Sequence, residues 1–287
     1  MTIIDEGLSV SSSEQFHGRV VLVTGGASGI GEATVRAFHD AGAAVVVADI
    51  DIALGERLTT ELGSERSAFE LLDVRSTGQV SAVVARTVER FGRLDVVFNN
   101  AGIGLNAPLV DHTDEQIDDL IAINLRAAIL VSRAALPHLV ANGGGGVIIN
   151  NASNGGVVGR APDPVYVASK HGLVGFTKSL ALAHARDQIR VNAICPGPID
   201  TPMVWANFAN EPDRGVALHR ILATCPDARL ASAVEVAAAV LFLASDSARF
   251  INGVALPIDG AKAAGVMVAD RYRLDFPLST LNEGGVL

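Results

Sequence analysis

The sequence predicts a single-domain α/β fold, a doubly wound parallel sheet of about seven strands with helices on both faces. Three observations lead there. Short apolar runs with little polar alternation recur along the chain, as strands covered on both faces require. Longer stretches with helical apolar spacing lie between them, and the joints are short and carry glycine. Finally, hydrophobic residues make up 49% and aromatics only 5%. The apolar mass is therefore mostly Ala, Val, Leu and Ile, which suits buried parallel strands under small-residue helices.

The elements follow in order. Strands are expected at Val20–Thr24, Ala44–Asp49, Ser67–Leu72, Leu94–Phe98, Gly146–Asn150, Ile189–Ile194 and Val254–Ile258. A first helix begins near Ser28 and stops at Gly42. Helices follow at Asp51–Leu62 and Thr77–Phe91; in the second, Val80, Val83, Val84, Val88 and Phe91 form one buried stripe before Gly92 ends it. Further helices are expected at Thr113–Leu139, Pro164–Arg186 and Ala233–Ala244. Three segments break the rhythm: a loose extension over residues 1–17, a long insertion at Pro202–Pro226, and a C-terminal extension over residues 261–287. No Pro/Ser-rich linker divides residues 18–260, and no internal repeat is visible.

The formal net charge of −9 disfavours nucleic acid and an anionic membrane surface, both of which call for clustered Lys and Arg. Cys195 and Cys225 lack CxxC spacing and read as reduced thiols of a cytoplasmic protein, with no metal site. The N-terminal residues have no basic region and no apolar core, so no signal peptide is expected, and no uninterrupted apolar run suits a membrane span.

Thr24-Gly25-Gly26-Ala27-Ser28-Gly29-Ile30-Gly31 joins the first strand to the first helix. A glycine-rich turn there lets backbone N–H groups and the helix N-terminus approach a pyrophosphate. Asp49, 18 residues after Gly31, ends the second strand, where a carboxylate can accept both hydroxyls of an adenosine ribose and repel the extra phosphate of NADP. Neither Ser28 nor Ile50 supplies a cation for that phosphate, so NAD is the expected cofactor. Asp51 is the more natural cap of the next helix.

Tyr166 and Lys170 are four apart on an expected helix and share a face. A free phenol, pKa about 10, matches neutral proton transfer poorly. A lysine charge roughly 5 Å away at an effective dielectric of about 20 contributes on the order of 3 kcal/mol, about two pKa units. An oxidised nicotinamide would push the same way.

In this order the motifs resemble the short-chain dehydrogenase/reductase family, across about Gly18 to Gly260. TGGASGIG is similar to its cofactor turn, Asp73-Val74 to its adenine contact, and Asn99-Asn100-Ala101-Gly102 to its fourth-strand motif. Asn124 stands at the place of its catalytic asparagine, and Ser153, 13 residues before Tyr166, at that of its serine. Pro196-Gly197-Pro198-Ile199-Asp200-Thr201 is similar to its nicotinamide loop. The resemblance implies a Rossmann-like NAD-dependent oxidoreductase acting on a secondary alcohol or ketone. In it Tyr166 exchanges the proton, Ser153 holds the substrate oxygen, and Lys170 tunes the phenol and binds the nicotinamide ribose. Asn124 supports a relay water, and the Ile199 backbone and Thr201 hydroxyl hold the carboxamide. It also implies a homotetramer, or a dimer, built partly on the helices of Thr113–Leu139 and Pro164–Arg186. Asp259-Gly260-Ala261 departs from the usual Asp-Gly-Gly, which puts the tail path in question.

The insertion occupies the family's substrate-loop position. Trp205 and Phe208 offer apolar surface, Arg214, His219 and Arg220 polar handles, and Asn154 and Arg160 could face the same pocket. A cyclic alcohol, diol or ketone fits these features. Two other readings stay open: an NADPH-dependent 3-oxoacyl-type ketoreductase, and a non-catalytic nucleotide-binding sensor on the same fold.

Overall fold

The structure, a computed structural model, describes residues 15–105, 107–161, 163–206 and 213–265. Phe208 and the tail beyond Gly265 lie outside the described residues. Among the described residues, seven strands form one parallel sheet: β1 (Val20–Thr24), β2 (Ala44–Asp49), β3 (Ser67–Leu71), β4 (Val96–Asn99), β5 (Gly146–Asn151), β6 (Ile189–Pro196) and β7 (Ala255–Ile258). Their spatial order is β3-β2-β1-β4-β5-β6-β7. The order reverses between β1 and β4, whose registers pair Val21 with Val96 and Thr24 with Asn99. That reversal opens a crevice at the carboxyl ends of the strands.

Alternate residues of each strand feed two cores. Val21, Val23, Val45, Val47, Val96 and Phe98 face one side; Leu22, Val46, Val97 and Ile148 face the other. α1 (Gly29–Asp40), α2 (Ile52–Leu62) and α9 (Ala233–Ala244) cover the first face through Val35, Phe38, Leu58, Val236 and Val240. α3 (Thr77–Phe91) and α5 (Ala127–Ala141) cover the second through Val80, Val83, Val84, Leu130, Val131 and Leu139. α3 ends where the glycine signal placed it, with Gly92 left-handed and its N–H donating to Val88. Asp51 caps α2 by accepting from Leu54 N at 3.0 Å.

Some expectations are corrected. Phe16 does not belong to a loose extension: it is buried, lies edge-on to Phe38 with ring centroids 4.9 Å apart, and its N–H donates to Ala41 O at 2.9 Å. The folded unit therefore begins before Gly18. β4 starts at Val96 rather than Leu94, because the buried Asp95 carboxylate accepts from Val20 N and from Arg93 and Arg19, which fastens the amino edge of the sheet. The stretch expected as one helix over Thr113–Leu139 is three pieces. α4 (Asp114–Ile121), opened by a Thr113–Gln116 capping box, runs through a π-helical turn at Ala122–Arg126 into α5. The run Asp114–Ala141 is long and apolar enough to cross a membrane by length and composition, yet here Ala127, Leu130, Val131, Ala135 and Leu139 are core residues against the sheet. The insertion at Pro202–Pro226 holds α7 (Pro202–Ala206) and α8 (Arg214–Leu222), the latter capped by Asp213 accepting from Gly215 N. α6 (Pro164–His184) completes the set, with Pro164 at its first position.

Candidate active site

A cleft of about 870 Å³ lies at the carboxyl ends of the strands, over the β1–β4 switch point. Its wall at one end is the turn after β1. Gly25 has φ +61, and a Cβ there would come within 2.8 Å of Ala101 Cα, so only glycine lets the turn meet the loop after β4. That loop is tied down by Asn100, whose amide donates to Thr24 O at 3.1 Å and Gly25 O at 2.7 Å. The cradle thus keeps open backbone beside the α1 N-terminus, as a dinucleotide pyrophosphate requires.

Asp49 and Ile50 line the same end. Asp49 accepts from Ala27 N at 2.9 Å and Asp51 N at 3.0 Å, so it also shapes the turn. Each carboxylate oxygen retains a lone pair for a ribose hydroxyl. Asp73 and Val74 follow β3 at the cleft rim. Arg75 holds Asp73 at 2.9 Å and Asp119 at 2.9 Å, and its guanidinium keeps the Asp73 carboxyl below the usual carboxylate range.

The loop after β6 closes the middle. A Cβ at Gly197 would come within 2.8 Å of Asp259 Cα, and Ile199 forms a parallel bridge with Ala231. Pro196, Gly197, Ile199 and Thr201 all line the cleft, and Thr201 lies against Gly29.

At the other end, α6 presents Tyr166 and, one turn on, Lys170. Lys170 Nζ sits 5.6 Å from the Tyr166 ring centroid and donates to Asn151 O at 2.8 Å. Ser153 stands two residues after β5, accepts from Gly155 N at 3.1 Å, and hydrogen-bonds the Tyr166 phenol. Asn124 lies behind, buried in the π turn: its Oδ1 accepts from Ile103 N at 2.8 Å and its Nδ2 donates to Ile103 O at 2.9 Å. Gly102 leaves the room between Asn124 and Lys170; a Cβ there would meet Asn124 Oδ1 at 3.1 Å and Lys170 Nζ at 3.5 Å.

The electrostatics depart from the expectation that the Lys170 charge lowers the phenol. Burial pushes Tyr166 up, while the Ser153 hydrogen bond and the Arg160 charge pull it down. Burial also lowers Lys170 to about 8. Cys195, beside them, is raised to about 11 by burial, which leaves it an inert thiol.

The structure brings nearly all the expected site residues to this cleft. Gly31 and Asn124 stand one layer behind it. Trp205 does not line it: its indole N–H donates to Asp200 at 2.7 Å, and its neighbours Met203 and Val204 face the cleft instead. Arg160, Asp163, Thr224 and Lys262 line the far end. Arg160 is held by the buried Asp163, donates to Asn154 Oδ1 at 3.4 Å, and lies 5.2 Å from the Tyr166 ring centroid. Asn154 Oδ1 also accepts from Ser153 Oγ at 3.2 Å, so one polar chain runs from Asp163 to the serine. The signal for Asp163 was available, since it immediately precedes the proline that opens α6. Nothing local marked Lys262.

The family model described as enoyl-(acyl carrier protein) reductase matches residues 25–261. Momilactone A synthase of Oryza sativa subsp. japonica is 40% identical over 253 residues, covering 87% of this chain and 92% of its own. Levodione reductase of Leifsonia aquatica is 37% identical over 261 residues, covering 88% and 97%. A crystal structure of levodione reductase overlays with a TM-score of 0.82 at 38% identity, covering 88% of this chain and all of that one. The 3-ketoacyl-(acyl-carrier-protein) reductase from Brucella melitensis, solved with NADH, overlays at 0.80 with 33% identity, covering 86% and 99%. Cleft, motifs and relatives agree: this chain belongs to the short-chain dehydrogenase/reductase family of nicotinamide-dependent oxidoreductases.

Proposed function

We propose that the protein moves a hydride between NAD(H) and a secondary alcohol or ketone, with Tyr166 exchanging the alcohol proton. The observation that carries this reading is the convergence of Tyr166, Lys170 and Ser153 on one cleft whose other end holds the glycine turn and Asp49. Bound nicotinamide supplies or takes the hydride. Ser153 fixes the substrate oxygen beside the phenol. Lys170 holds the ribose and keeps a positive charge near the phenol. Asn124 has its side chain committed to Ile103, so its support for a relay water comes from the backbone of the π turn. Gly25, Ser28, Gly29, Ile30 and Gly31 would cradle the pyrophosphate; Asp73 and Val74 would flank adenine. Asn100, Ala101 and Gly102 would back the ribose, and Ile199 with Thr201 the carboxamide.

NAD over NADP rests on Asp49. Ile50 beside it is exposed and uncharged, and Arg75, the arginine at that end of the cleft, is engaged by two carboxylates. The NADH complex of the Brucella relative supports the same choice. Assembly into a homotetramer or a dimer through α5 and α6 belongs to this reading; the exposed Leu182, Ile129 and Val140 support it. A cytoplasmic location fits the two free cysteines.

A panel of secondary alcohols and cyclic diols, assayed with NAD and NADP by reduced-nicotinamide absorbance, tests the proposal. At least about tenfold higher kcat/KM with NAD is expected, the order of one charged contact. A strong NADP preference would overturn the reading of Asp49 and favour the 3-oxoacyl-type ketoreductase. Cofactor binding without turnover of any substrate would favour the sensor.

A further inference from the structure

The far end of the cleft has the opposite charge balance to the molecule. The chain carries 31 acidic and 22 basic residues. Beyond Tyr166, however, the charged groups lining the cleft among the described residues are Arg160, Arg220 and Lys262 against the single carboxylate of Asp163. Asp163 is spent on Arg160, and Arg220 is engaged by other groups. Lys262 differs. Among the described residues its ammonium forms no ion pair and donates to one neutral partner, Thr224 Oγ1, at 2.7 Å. An ammonium has three donors, so two remain. A half-buried ammonium with donors left over can make a charge-assisted pair with an anion that enters the cleft.

The position of Lys262 is built rather than incidental. Gly260 at φ +60 and Ala261 at φ +69 turn the chain sharply after β7. The buried Asp259 fixes that turn, its backbone carbonyl accepting from Lys262 N at 3.2 Å and its carboxylate from Ala263 N at 2.8 Å. Burial and the Arg160 charge push the Lys262 pKa down, while Cys225 and the carboxylates of Asp259 and Asp163 pull it up, and Lys262 and Arg160 line the same cleft.

We propose that the alcohol or ketone taken by this site carries a carboxylate, and that Lys262 binds it. The inference rests on the proposed function and names the substrate class. A negative substrate would also be drawn by a local positive wall within an otherwise repelling surface.

The test compares β-, γ- and cyclic hydroxy acids with their methyl esters, using the full chain, NAD, and the variants Lys262→Met and Lys262→Arg. The same acids are titrated into the enzyme–NADH complex by nicotinamide fluorescence. The wild type should favour at least one acid over its ester by about tenfold or more in kcat/KM, the worth of a charge-assisted contact. K262M should collapse that ratio towards one, and K262R should retain most of it. Acids that bind in a Lys262-dependent way but never turn over would sustain this inference while defeating the dehydrogenase reading. Esters used as well as acids, or a ratio indifferent to K262M, would overturn it and leave the dehydrogenase standing. So would absence of both acid binding and acid turnover.

Discussion

Tyr166 and Lys170 lie one helical turn apart on α6, and their spacing was legible because a helix leaves residues four apart on one face. The balance of forces on them was not, since burial has no local signature. Burial draws Lys170 down to about 8 from an ordinary value near 10.5. Between those values the folded chain binds fewer protons at this residue than the unfolded one, so the unfolding free energy rises with pH. Below the folded value the burial cost is present in full; above the unfolded value it is gone. Cofactor-free wild type should therefore gain thermal stability relative to Lys170→Met between about pH 8 and 10, measured by differential scanning calorimetry at matched salt. A difference between the two proteins that stays flat with pH would mean Lys170 is not the buried ammonium described. Arg160 illustrates the same limit at this scale: its place against the Tyr166 ring depends on Asp163 and on the fold of the loop before α6.

Strands and long helices could be read to within a residue or two, because apolar runs bounded by glycines admit few alternatives. α3 matches its expected range, and so does α9. The π turn could not be read: Ala122–Arg126 continues the helical pattern of its neighbours, and the extra residue per turn shows only once Asn124 is tied to Ile103. α8 was also hidden, being short and set in the long insertion. The tail path answers the question raised by Asp259-Gly260-Ala261. Ala261 adopts φ +69 where glycine would sit without penalty, and an L-residue there costs roughly 1–2 kcal/mol. Ala261→Gly should raise Tm by about 2–4 °C for each kcal/mol recovered. An unchanged or lower Tm in a thermal melt would show that this turn is not left-handed.

Across the whole molecule, the parallel sheet places contributions from separate strands on one edge. The turn after β1, Asp49 from β2, the loops after β4 and β6, and Ser153 just after β5 meet α6 over the β1–β4 reversal. This convergence was legible only as an ordered set of motifs, each of which is weak alone; distance in space was supplied by the fold. Phe16 marks the opposite case, a core residue in a polar stretch that gave no sign of packing on Phe38. Replacing Tyr166 by Phe removes one oxygen while keeping the ring between Arg160 and Lys170, so it separates proton exchange from assembly of the cleft. The most direct measurement is therefore kcat of Tyr166→Phe on an identified substrate, with NADH binding followed in parallel by fluorescence. The account predicts retained binding and a fall in kcat of about 100- to 10,000-fold, the usual share of a general acid–base group. Turnover equal to that of the wild type would contradict it.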